Sequence, residues 1–178
     1  IHKVENVTLQ IYPSTRLRWE WLRRTDPGAP WAALPAPADR EVHDRFQDSV
    51  RIVLGDGGDA LFWLDNWLPA GPIKEFAPAL FQAVRPMRRK RTVRDALLDH
   101  TWVRDIGGGL SAAALAEYAS LWDMLLDVQL DHSTPDRFVW KWSASGVFSC
   151  ASAYASMFDG TAPLIGAKEI WKTSAPPK

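Results

Sequence analysis

The sequence predicts an α+β fold, mostly helical with two β-hairpins. Three observations predict it. Two turns rich in Gly or Ser, at residues 55–59 and 143–146, each divide β-prone runs. Apolar residues at helical spacing fill most of the chain around them. The strands do not alternate with helices in the order that builds a doubly wound parallel sheet.

The elements follow in chain order. Residues 14–24 read as a helix, with Ser14 able to cap it and Leu17 and Trp21 one turn apart. Thr25-Asp26-Pro27-Gly28 stops it by turn chemistry. Four prolines and a Trp between residues 27 and 37 make an irregular linker. A second helix is expected over residues 39–50, with Val42, Phe46 and Val50 on one face. Residues 51–65 form the first expected hairpin, whose second strand would put Leu61, Trp63, Asp65 and Trp67 on one face. Residues 72–84 predict a short helix or two, interrupted at Pro78. Thr92 is an N-cap for residues 93–98, with Asp95 in the third helical position as a capping-box variant. Gly107-Gly108-Gly109 is a break. Residues 111–128 should be the longest helix, with Leu115, Tyr118, Trp122 and Leu125 as its apolar stripe. Residues 136–149 form the second hairpin, Ser149 caps a helix running to Phe158, and a last helical piece lies around residues 168–172. Trp63, Trp67, Trp122, Trp140 and Trp142 are expected to be largely buried. The chain divides into a helical linker region over residues 1–50 and a Trp-rich α+β connector over residues 51–178.

Ten Trp residues in 178 supply material for a sizeable core. Twenty-one basic residues balance twenty-one acidic ones, which argues against whole-surface attraction to nucleic acid. The single Cys150 excludes an intramolecular disulfide, and the four His show no paired metal-ligand spacing. No run of eighteen apolar residues is present, so no membrane partner is expected. The start without Met and the end at Pro176-Pro177-Lys178 are what a chain cut from a longer one would show.

Few residues invite chemistry. The Gly-rich turn at 55–59 lacks the Lys and Ser/Thr of a phosphate loop, and Asp56 and Asp59 would repel phosphate. Asp56, Asp59 and Asp65 do not match the ligand spacing of a calcium loop. Asp65, among tryptophans, reads as a hydrogen-bond acceptor that holds a turn rather than as a general acid. Ser149 lies outside any nucleophile elbow, Cys150 reads as a small buried or helix-face residue, and His43, His100 and His132 lack flanking ligands. No cofactor and no small-molecule substrate are expected.

The strongest functional hint is the run from 85 to 94, with Arg85, Arg88, Arg89, Lys90, Arg91 and Arg94 and no acid. Such clusters contact phosphates through charge and forked hydrogen bonds. Against this, residues 105–136 hold six acids and no Lys or Arg, so the two stretches could pair, or each could be a solvated face. Arg16, Arg18, Trp19, Trp21, Arg23 and Arg24 interleave cations and aromatics. That pattern suits base stacking with phosphate contact, but it fits an amphipathic helix with a charged outer face better.

Several blocks, in order, resemble plant non-long-terminal-repeat retrotransposon polyproteins of the long-interspersed-element type. Leu17-Arg18-Trp19-Glu20-Trp21-Leu22 with Thr25-Asp26-Pro27 and Pro30-Trp31 is similar to the helix and linker after the polymerase thumb. Leu54-Gly55-Asp56-Gly57 with Phe62-Trp63-Leu64-Asp65-Asn66-Trp67 resembles a Gly–polar–Gly block followed by Phe-Trp-x-Asp-x-Trp. Arg91-Thr92-Val93-Arg94-Asp95 and Trp102-Val103-Arg104-Asp105-Ile106 resemble the next blocks. Phe138-Val139-Trp140-Lys141-Trp142-Ser143, Ser152-Ala153-Tyr154 and Ile170-Trp171-Lys172 resemble the start of the reverse-transcriptase zinc-binding domain. The resemblance implies a non-catalytic connector between polymerase core and zinc segment, with RNA or DNA and the polymerase part of a parent polyprotein as partners. It carries over no catalytic residue and no metal ligand. A domesticated protein-interaction module, or a relic reading frame without selected function, is the rival.

Overall fold

The computed structural model describes residues 2–26, 28–30 and 40–157, with side chains from Ser14 onward. Seven α-helices and one two-stranded antiparallel sheet make an α+β, mostly helical fold among these residues. In chain order they are α1 (His2–Thr25), α2 (Arg40–Ser49), β1 (Val50–Val53), α3 (Ile73–Phe76), α4 (Pro78–Ala83), α5 (Val93–Leu97), α6 (Ala112–Leu126), β2 (Arg137–Trp140) and α7 (Cys150–Ser156). Two 3-10 segments, Pro86–Arg88 and Leu98–Asp105, connect the middle of the chain. The expected helical piece at 168–172, most of the Pro-rich linker and Phe158 lie outside the described residues.

Local signals set several boundaries as expected. The helical stretch at 72–84 splits at Pro78, which starts α4. Thr92 Oγ1 accepts the Asp95 N–H at 3.2 Å, so α5 starts where its cap stands. Ser111 caps α6 by accepting from Ala114 N–H at 3.1 Å. Ser149 and Ser152 form a reciprocal capping box at the start of α7.

Other expectations are overturned. Helix α1 has 24 residues against 15 for α6, so residues 111–128 are not the longest helix. Residues 2–12 contain no Gly or Pro to break the helix, and it runs on through Pro13. Ser14 is therefore a buried residue inside α1, not its cap. The stripe on α6 is turned as well. Ala114 and Leu121 are its buried positions, Tyr118, Trp122 and Leu125 are partly buried, and Leu115 is exposed.

The two hairpins do not form. β1 pairs instead with β2, in the antiparallel register Val50↔Trp140, Arg51↔Val139, Ile52↔Phe138 and Val53↔Arg137. The segment expected to return beside β1 winds into a turn, closed by Asp65 N–H to Leu61 O at 3.0 Å. It meets β1 through one bond, Ile52 N–H to Asn66 O at 2.8 Å. The turn at 143–146 closes through Gly146 N–H to Ser143 O at 3.1 Å, Trp140 N–H donates to Gly146 O at 2.7 Å, and no strand follows it among the described residues. A distant carboxylate, Asp136, redirects the Gly-rich turn, as described below.

Two apolar clusters result. The larger gathers Ile52, Phe62, Trp63, Trp67, Ile73, Leu80, Val93, Trp102 and Leu121. Phe62–Trp63 (4.9 Å) and Trp63–Trp102 (6.2 Å) meet edge-on, and Phe62 stacks on Trp102 (6.0 Å). The smaller is built from Leu17, Trp21, Val42, Phe46, Val50, Trp140 and Ala153, drawn from both ends of the described chain. Phe138 packs against both. Trp63, Trp67 and Trp140 are buried as expected, but Trp142 is exposed, with its indole N–H donating to Ser49 Oγ at 2.9 Å. Trp102, not among the tryptophans expected to be buried, lies at the centre of the aromatic cluster.

Candidate nucleic-acid interface

The cationic run begins where the chain leaves the larger core. Val84 is buried and forms an antiparallel bridge to Ile106, and Arg85 N–H donates to Asp105 O at 3.0 Å. Pro86 then starts a 3-10 turn through Arg88. The turn closes with Arg88 N–H to Arg85 O at 2.8 Å and Arg91 N–H to Arg88 O at 3.1 Å. The chain re-enters the core at Val93, whose N–H donates to Ala60 O at 2.8 Å.

The six cations have different fates. Arg91 turns inward. Its guanidinium grips Asp105, with Nε at 2.8 Å from one oxygen and a terminal nitrogen at 2.6 Å from the other. Asp105 is fully buried and also accepts the Trp63 indole N–H at 3.1 Å. Hydrogen bonding to Asp105 raises the Arg91 pKa above its ordinary value, so this cation stays charged within the fold. Arg94 forms an ion pair with Asp56 across the Gly-rich turn, and its Nε donates to Asp56 O at 3.0 Å. Arg89 lies over the Phe81 ring at 4.5 Å and donates to Val84 O at 3.3 Å. Arg85, Arg88 and Lys90 are exposed, and their side chains make no hydrogen bond or ion pair among the described residues. The Arg85 stem passes over Gly107, where a Cβ would sit 3.3 Å from its Cγ.

Of the six acids in residues 105–136, only Asp105 turns to the cationic run. Glu117 accepts the Leu80 N–H at 2.7 Å near the start of α4. Asp131 closes its own turn through the Ser133 and Thr134 hydroxyls. Asp136 Oδ1 accepts from Gly55 N–H (2.8 Å) and Gly57 N–H (3.0 Å), and Oδ2 from Asp59 N–H (2.9 Å) and Ala60 N–H (3.0 Å). The Gly-rich turn is thus an anion-binding concavity filled by the protein's own carboxylate. Comparison with protein families, curated proteins and solved structures finds no match to this chain.

Sequence reasoning missed Arg104. It is exposed, and the bridge between Val84 and Ile106 puts it in register beside the start of the 3-10 turn. Its signal was present but weak, one Arg beside Asp105 outside the dense run. Arg24, read as part of a charged outer face, instead forks onto Asp65 at 2.9 and 3.2 Å. Asp65 also accepts the Leu61 N–H at 2.8 Å, the turn-holding role expected of it. Cys150 is exposed at the start of α7. No group of three or more His, Cys, Asp or Glu that could hold a metal occurs among the described residues, and no described helix is long and apolar enough to cross a membrane.

Proposed function

We propose that this chain is a non-catalytic, retrotransposon-derived connector that holds RNA or DNA weakly and without sequence preference. The observation that carries the reading is the exposure of Arg85, Arg88 and Lys90 on one short turn, with no carboxylate partner among the described residues. Arg104 adds a cation beside them. Unpaired cations carried on a braced backbone turn attract phosphates, and only their side chains have to be ordered on contact. The reading assigns no catalytic role because the family blocks it rests on are occupied by packing and turn residues. Phe62, Trp63 and Trp67 fill the core, and Asp65 holds Arg24 and a turn. The polymerase part of a parent polyprotein is the second partner this reading carries.

Three or four phosphate contacts predict a shallow salt slope, about −2 to −4 in log affinity against log salt. The test is fluorescence anisotropy with labelled single-stranded RNA, single-stranded DNA and duplex DNA across a salt series. The Arg85→Gln, Arg88→Gln, Lys90→Gln variant should bind more weakly with a flatter slope. Equal binding by that variant would remove the cluster from the interface. A protein-interaction module is the rival, and the exposed Trp142 and Leu126 are the features that speak for it.

A further inference from the structure

Met87 is the most exposed large apolar side chain among the described residues, at 93% of its full area. It stands at the middle of the 3-10 turn, between Pro86 and Arg88, with Arg85 before it and Lys90 after it. The turn beneath it is fixed from several sides. Asp105 holds one end through its carbonyl to Arg85 N–H and the other through its carboxylate to Arg91. Arg89 braces the middle against Phe81 and Val84 O. An unbranched thioether on a rigid apex, ringed by unpaired cations, does not suit an apolar protein pocket, because burying it there would strip water from those charges. A nucleic acid supplies both complements at once, phosphates for the cations and base faces for the thioether.

Resting on the nucleic-acid reading above, we propose that Met87 is an apolar wedge that enters a base step of DNA gripped by Arg85, Arg88 and Lys90. Methionine is among the side chains that open base steps in this way, and each opened step costs stacking energy. That cost is already met where stacking is interrupted, so the turn should favour gapped or mismatched duplexes over intact ones. The basic residues supply affinity and salt dependence, and Met87 supplies the preference.

The experiment uses the full chain and two DNA duplexes of one sequence, intact and with a single-nucleotide gap, both carrying 2-aminopurine at the same position beside the gap site. The parent should bind the gapped duplex about fivefold more tightly, the scale of burying part of one Met side chain. It should also change the 2-aminopurine emission. Met87→Ala should equalise the two affinities and abolish the emission change while keeping the salt slope, and Met87→Leu should retain both. Salt-dependent binding without preference in the parent, or a preference that survives Met87→Ala, would overturn the wedge and leave the cationic interface standing. No binding by the parent, or binding unaffected by the Arg85, Arg88 and Lys90 substitutions, would overturn the interface and the wedge together.

Discussion

Replacing Asp136 with Asn should unfold the centre of this protein far more readily than the loss of one surface charge. The carboxylate accepts four backbone N–H groups, at 2.8, 3.0, 2.9 and 3.0 Å, and the residue is 8% exposed. Asn has nearly the same shape but one acceptor oxygen. Whichever way its amide turns, an NH2 group faces two N–H donors that have lost their acceptor. A buried donor left unsatisfied costs about 1–3 kcal/mol, and the two bonds that remain lose their charge assistance. The expected loss is therefore about 2–5 kcal/mol, a large share of the roughly 5–15 kcal/mol that holds a domain folded. Asp136→Ala, which orphans all four donors, should cost at least as much. Urea unfolding followed by Trp fluorescence reads the effect as a fall in midpoint at constant slope. An Asn variant within about 0.5 kcal/mol of the parent would refute the reasoning, because it would show that volume rather than charge fills the turn.

Further outcomes follow from the same geometry. Gly55→Ala should destabilise by about 2–3 kcal/mol, since its Cβ would sit 2.1 Å from Thr134 O and 2.6 Å from Pro135 O, both backbone atoms. Gly109→Ala, where a Cβ meets nothing within 4 Å, is the control and should be nearly neutral in the same unfolding assay. Asp105→Asn should cost about 3–5 kcal/mol because it leaves the Arg91 charge without its buried partner, whereas Arg94→Gln, at a half-exposed pair, should cost about 1 kcal/mol or less. Equal losses in chemical unfolding would contradict that ranking. The Ser133 and Thr134 hydroxyls, then the Ser133 N–H, hold the Asp131 carboxyl at about 2, below its ordinary 3.8. Its contribution to stability is thus present above the ordinary value and lost as pH falls through about 2. Carbon-detected NMR titration should show this, and Ser133→Ala should move the midpoint upward. A midpoint near 3.8 in the parent would refute the assignment.

What was legible in the sequence was local. Thr92, Ser111 and Ser149 marked helix starts because a cap acts across three residues. Pro78 marked a break because a proline acts on its own turn. The pairing of β1 was not legible, because the Gly-rich turn next to it looked like its own hairpin. The residue that decides otherwise, Asp136, lies 79 positions from Gly57. Nothing near Gly57 indicates that its N–H will be taken by so distant a carboxylate. The burial of Trp102 and the exposure of Trp142 were hidden for the same reason, since each depends on which distant surface arrives to cover it.

Pairing across the fold likewise decides which cations of the basic run stay exposed. Charge count alone made Arg85, Arg88, Arg89, Lys90, Arg91 and Arg94 equivalent. The fold separates them, because Asp105 and Asp56 pair only with Arg91 and Arg94, and Asp95 also acts on Arg91. Asp105 is held in place by the Trp63 indole as well as by Arg91, so it does not swing outward to screen Arg85 or Arg88. Burying one cation of the run thus fixes the turn that exposes the others. With Asn at position 105 the Arg91 charge, no longer neutralised, adds to the positive field of the turn. Asp105→Asn should therefore leave nucleic-acid affinity equal or higher at low salt, even as stability falls, with a steeper salt slope from the extra cation. Anisotropy below the unfolding temperature checks the separation. Affinity that falls in step with stability would mean that the rigid turn, rather than the number of free cations, governs binding.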